Sequence, residues 1–298
     1  MTATALPGGG PERPVGGSGH AWRVGVRRGV TEFRLSLRSP EDLIFYLFWG
    51  GGALLYLWLN RNSTVEGVPI AFPLLVLPTV IAAATVFGAV LGPAFALVIE
   101  REDGTLLRAK AAPYGLRGYV TGQVVLQTLG VLPMLAVILV PSFFLFDAAV
   151  HRGVQGALVA LAFILLGLVA ALPLGMIIGS LARKPGHVTT WGLLPVFGLM
   201  AISGVFVPVA ALWGWVQVVT QAFPMYWLGV GLRWAFLPEA AAAAEIGGEW
   251  RVLEGAAVLG LWAVAGLVVA PRVLRRMARR ESGSAVEARR QERMQRVG

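Results

Sequence analysis

Residues 99–120 read IEREDGTLLRAKAAPYGLRGYV. Four consecutive charges (Glu100, Arg101, Glu102, Asp103) are followed by Gly104-Thr105, by a segment at 106–112 able to form about two helical turns, and by Pro113. Proline lacks an N–H and disfavours helix in the residue before it, so it ends that segment. Long apolar runs flank the stretch on both sides. A plain loop between membrane spans needs only a few polar residues. A charged island carrying its own proline-terminated helix predicts that something docks there.

The totals agree with a membrane setting. The 298 residues are 56% hydrophobic and 14% charged, with mean hydropathy +0.71, whereas a soluble domain carries roughly 25% charged residues. Without cysteine, neither a disulfide nor a thiolate metal site is expected. A net charge of +9 in a multi-span chain reads as basic residues gathered on the cytoplasmic side, not as a nucleic-acid surface.

Residues 1–20 are rich in Gly and Pro and lack both the apolar content to fold and the apolar core of a signal peptide, so a disordered tail is expected. Over 21–38, Trp22, Val26, Val30, Phe33 and Leu37 share one helical face, with Arg23, Arg27, Arg34 and Arg38 largely off it. That pattern predicts a helix lying flat in the membrane interface. Ser39, Pro40, Glu41 and Asp42 then form a helix start. Spans are expected at 43–59, within 69–99, and at 119–146, 154–181, 188–207 and 252–270. The run at 210–237 is apolar enough to be mistaken for a further span. Pro224 splits it into two pieces too short to cross, so an outer re-entrant hairpin is expected. Its density of Trp213, Trp215, Trp227 and Trp234 suits a water–lipid boundary. The overall expectation is an all-α polytopic protein, with a six-span domain at 39–271 and a basic cytoplasmic tail at 272–298.

Charge placement tests this layout. With six spans and both termini inside, 21 of the 25 basic residues fall on the inner side. A seventh span would move the nine tail charges outside, against the positive-inside rule. The island at 100–118 is therefore expected in the cytoplasm.

Several chemistries are excluded. Neither Lys110 nor Lys184 completes a G-x-x-x-x-G-K-[ST] loop, so the chain has no such ATP site. His20, His151 and His187 are scattered, which argues against a metal cluster. The expected spans carry no ionisable residue away from their ends. That disfavours a proton-coupled carrier and a membrane hydrolase or acyltransferase. A multi-span protein without an energy source, carrying a specialised inner helix, reads most simply as the seat of a separate motor.

Two motifs give that reading a family. Glu100-Arg101-x-x-Gly104-Thr105-Leu106-x-Arg108, ending at Pro113, resembles the coupling-helix signature of type-2 ABC exporter membrane subunits, the bacterial drug- and polysaccharide-export permeases. It departs from that signature at Leu107, Ala109, Lys110 and Ala112. Ser203-Gly204-Val205-Phe206-Val207-Pro208, with Pro224 and Arg233 beyond, resembles the outer re-entrant segment, although Leu212-Trp213 stands where a proline is common. The likeness covers roughly residues 40–275.

The resemblance implies a multi-pass subunit of the bacterial plasma membrane, paired with a second copy or a paralogue above two ABC ATPase subunits. Those subunits would bind ATP and magnesium; this chain would hold no cofactor or metal and meet no nucleic acid. The first, second and fifth spans would line the path of an amphipathic small molecule or lipid. Leu106 and Leu107 would seat in a groove of the ATPase, with Glu100, Arg101 and Arg108 pairing across that interface. The hairpin at 210–237 is either an outer gate or a passive aromatic belt. Arg233 either pairs with an acid such as Glu239 or meets lipid headgroups. Phe45, Trp49 and Phe206 either line the path or pack between helices. The basic tail either binds anionic lipid or only sets orientation. Polysaccharide or glycolipid export, and a non-transporting anchor or sensor for an ATPase, stand as competing functions.

Overall fold

Ser39 opens the first long helix as its spacing predicts. Its Oγ accepts the Asp42 N–H at 3.4 Å, with Pro40 at the first helical position and Glu41 and Asp42 in the first turn. The computed structural model describes residues 18–65, 68–111, 115–148, 150–182 and 184–280. Residues 1–17 of the expected disordered tail, Pro113, Arg183 and the basic tail beyond 280 lie outside the described residues.

In chain order the helices are α1 (Ser18–Ser36), α2 (Pro40–Leu59), α3 (Phe72–Glu102), α4 (Thr105–Ala111), α5 (Gly115–Leu145) and α6 (Gly153–Leu181). They continue as α7 (Pro185–Val188), α8 (Leu194–Ile202), α9 (Gly214–Gln221), α10 (Pro224–Phe236) and α11 (Val252–Arg280). A short antiparallel hairpin, β1 (Thr64–Val65) with β2 (Val68–Ala71), joins α2 to α3. Among the described residues, five helical segments are long and apolar enough to cross a membrane: Pro40–Leu59, Phe72–Glu102, Gly118–Leu145, Gly153–Leu181 and Val252–Leu274.

The crossing expected at 188–207 departs from that pattern. Its place is taken by α7, a π-helical turn (Thr189–Leu193) and α8 in direct succession. Pro195 cannot donate to the preceding turn, and the wider π turn before it absorbs the lost register. At 210–237 two short helices stand as expected, α9 and the thirteen-residue α10.

The core sits around α3, which packs against α5, α6 and α10, while α11 covers α6 and α10. Gly175 and Gly179 of α6 lie against the α3 backbone at Val90 and Ala94, a small-residue crossing of the kind membrane helices use. α10 is buried on all sides, with Met225, Leu228, Leu232 and Ala235 fully enclosed. At 31 residues α3 is about 46 Å long, well beyond a hydrocarbon core of roughly 30 Å. The helix is therefore longer than one straight crossing needs.

α1 is a helix, but its closest contact is not its apolar stripe. It packs on α5 through glycines: a Cβ at Gly25 or Gly29 would come within 2.5 Å of the carbonyl oxygens of Gly118 and Gly122. Trp22 and Leu37 of the stripe stay exposed. No break in the helix marks the domain end expected at 271. α11 continues through it to Arg280, and Leu274 and Met277 are buried beside α4.

Candidate functional site

The end of α3 turns into α4 through Gly104, whose φ of 74° lies in the left-handed region that glycine adopts without strain. The Asp103 N–H closes the last turn of α3 on Ile99 O at 2.9 Å, and the Arg108 N–H opens α4 on Gly104 O at 3.2 Å. Thr105 starts α4, and its Oγ1 accepts from the exposed Arg108 guanidinium at 3.0 Å. Leu107 lies on the same helix.

The other predicted coupling residues are used differently from what the motif implied. Leu106 is only 2% exposed and packs in a cluster with Leu97, Tyr119, Met176, Leu274 and Met277. It anchors α4 to the protein and is not presented to a partner's groove. Arg101 donates to the carbonyls of Ser180 and Ala182 at 3.4 and 3.0 Å, satisfying oxygens that the end of α6 leaves without helical partners. Glu100 accepts from Arg28 of α1 at 2.8 Å and from Gln123 of α5 at 3.4 Å. Arg28 also pairs with Glu32 at 2.6 Å, one helical turn on. Glu100 and Arg101 thus tie α3 to α1, α5 and α6, and Arg108 is an exposed cation on α4.

On the opposite side, Arg233 pairs with an acid and not with lipid headgroups: the partner is Glu245, in a bidentate ion pair, while Glu239 pairs with Arg152. Both members of the Arg233 pair are buried. Arg233 also donates to Thr79 of α3 at 2.7 Å, and the Tyr226 hydroxyl donates to Glu245 at 3.4 Å. Burial, together with the adjacent carboxylate, pushes the Tyr226 phenol well above its usual range, so it keeps its proton and serves as a donor.

Gly204, with φ 92°, lets the chain pass over the Arg233 guanidinium, and Pro208 completes a void of about 20 Å³ there, room for about one water. Ser203 is enclosed, its hydroxyl 3.4 Å from that of Thr220. Pro224 opens α10 at its first position. Phe206 lies outward and meets the Tyr56 ring edge-on at 5.7 Å. The tryptophans divide: Trp213 and Trp215 are exposed and stacked, whereas Trp227 is buried.

Phe45 and Trp49 meet over Phe87 of α3, with ring centroids 6.3 and 4.7 Å from it. Phe197 of α8 closes the group, 5.9 Å from Trp49. Phe45, Trp49 and Phe87, but not Phe197, form the apolar wall of a cavity of about 620 Å³ between α2, α3 and α5. Its other end is polar, formed by Glu32, Ser36, Asp42, Glu100, Gln123 and Gln127. Phe206 does not line it.

Charge and hydropathy patterns passed over Arg28, Gln123, Gln127 and Glu245. Gln123 and Gln127, four apart inside an otherwise apolar span, were the signal available for two of them.

The family model for the ABC-2 type transporter matches residues 43–237. That stretch runs from α2 through α10, taking in α4 and the α9–α10 pair and leaving out α1 and α11. No curated protein matches this chain.

Proposed function

This chain belongs to the ABC-2 type transporter family, which makes it a membrane subunit of an ABC transporter whose ATPase activity resides in a separate partner, and on that premise we propose that it forms the path of an exporter for an amphipathic molecule and receives force through α4. The observation that carries the reading is the seat of α4. Leu106 fixes it into a cluster shared by α3, α5, α6 and α11, so a push on this short helix is delivered to four long ones. Arg101 and the Arg28–Glu100 pair add rigid links to α6 and α1.

Six crossings follow if the α7 to α8 run supplies the fifth. Residues 185–202 make a rod of about 27 Å, near the hydrocarbon thickness. Both termini and α4 then lie in the cytoplasm, where 21 of the 25 basic residues gather. The α9–α10 hairpin closes the outer side. A second copy or a paralogue completes the path, and two ATPase subunits with ATP and magnesium sit below. The 620 Å³ cavity with one aromatic and one polar end supports an amphipathic drug, polyketide or lipid over a polysaccharide.

The test is co-purification with a Walker A ATPase encoded beside this chain, followed by hydrolysis assays in nanodiscs with candidate amphiphiles. Arg108→Glu is expected to lower partner retention and substrate-stimulated hydrolysis by about fivefold, since it reverses a charge at the interface. Retention and stimulation unchanged by this variant would remove α4 as the contact.

A further inference from the structure

We propose that the cavity between α2, α3 and α5 selects a cation: an amphiphile whose N–H-bearing ammonium group sits against Glu100 and Gln123 and whose flat apolar body lies on Phe45, Trp49 and Phe87. The inference rests on the exporter reading and adds the charge class of the cargo. Gln123 is 2% exposed and its Nε2 donates to Glu100, yet its Oε1 is buried without a hydrogen-bond partner. Glu100 Oε2 is buried as well, with the Tyr119 hydroxyl beside it. Gln123 Oε1 is an acceptor, and a buried acceptor left unmet is unfavourable, so the structure lacks a donor at this point. Tyr119, beside Glu100, does not line the cavity.

The charges lean the same way. Glu32, Asp42 and Glu100 line the cavity, and among the described residues no lysine or arginine does. Arg28 stands behind, engaged by both glutamates, and offsets one charge of the three. An ammonium supplies what is missing, positive charge and several N–H donors from one atom. The aromatic end suits the rest of such a molecule, because ring faces attract cations and pack flat apolar surfaces.

The experiment uses the full chain in nanodiscs, without nucleotide, and three probes that share one apolar body: pyrenemethylammonium, pyrenemethanol and pyrenecarboxylate. Binding is read as saturable energy transfer from tryptophan, corrected against empty nanodiscs. The ammonium is expected to bind about tenfold or more tightly than the alcohol, with the carboxylate weakest. Gln123→Leu and, independently, Glu100→Gln should shrink that preference to within about threefold. Gly130→Leu should abolish binding of all three, because Gly130 lines the cavity and a Cβ there meets only the Tyr46 hydroxyl, at 3.8 Å. An ammonium that binds no better than the alcohol, no saturable binding at all, or binding that survives Gly130→Leu would each overturn the proposal. Stimulated hydrolysis in the complex is read separately. If it persists without charge preference, only the cation inference falls; if the preference holds but no ATPase couples, the exporter reading falls instead.

Discussion

Arg233 and Glu245 lie twelve residues apart in the chain and are buried together against α3. Removing two charges from water is costly, and their attraction offsets that cost only when the remaining donors and acceptors are met. Here the guanidinium fork grips both carboxylate oxygens, a third N–H reaches Thr79, and Tyr226 donates to the carboxylate. Loss of one partner leaves the other charged and unpaired. Glu245→Ala is therefore expected to lower unfolding free energy by about 3–5 kcal/mol, measured by denaturant titration in detergent. A loss below about 1 kcal/mol would mean that the pair is not desolvated in the membrane-embedded protein. The sequence singles out Arg233 and leaves open an acid such as Glu239 or lipid headgroups as its partner. The true partner is presented by a loop folded back through 3-10 turns at 239–248, with Gly247 and Gly248 in left-handed conformations that a linear scan does not weigh.

Among the elements, α1 shows how a helix read from its apolar stripe makes its protein contact on another face. Periodicity ranks side chains by hydrophobicity, and it found Trp22, Val26, Val30, Phe33 and Leu37. The contact with α5 is centred on Gly25 and Gly29 against Gly118 and Gly122, where the backbones meet, with Thr121 and Val125 packed beside them. This frees the apolar stripe for the membrane surface and puts Arg28 within reach of Glu100. Gly29→Leu must push α1 away from Gly122. Hydrogen exchange over residues 18–36 is expected to accelerate about tenfold, equivalent to about 1.4 kcal/mol of lost docking, with exchange in α3 little changed. Protection equal to that of the unmodified chain would show that α1 is held by its apolar stripe instead.

For the whole molecule, the two ends of the bundle differ in kind. One end carries α4 and the cluster around Leu106; the other carries the stacked Trp213 and Trp215 and the buried Arg233 pair. The proposed orientation puts the first inside and the second outside. The absence of native cysteine makes this testable with single introduced thiols. A membrane-impermeant maleimide applied to intact spheroplasts is expected to label Trp215→Cys readily and Arg108→Cys only after permeabilisation. The reverse pattern would invert the topology and remove α4 from the reach of a cytoplasmic ATPase.

The sequence by itself determined the membrane class, the all-α architecture, most helix bounds within a few residues, the proline-split pair at 210–237, the short helix after Gly104 and the family. These follow from local rules: apolar length, proline and glycine positions, and charge distribution along the chain. Only the tertiary structure decided which side chains meet. It turned Leu106 inward, committed Arg101 to the end of α6, gave Glu100 to Arg28 and Gln123, and assigned Glu245 to Arg233. Each of these contacts joins elements distant in the chain or follows a loop's return path. Their energies come from desolvation and close packing among groups that a one-dimensional pattern cannot bring together.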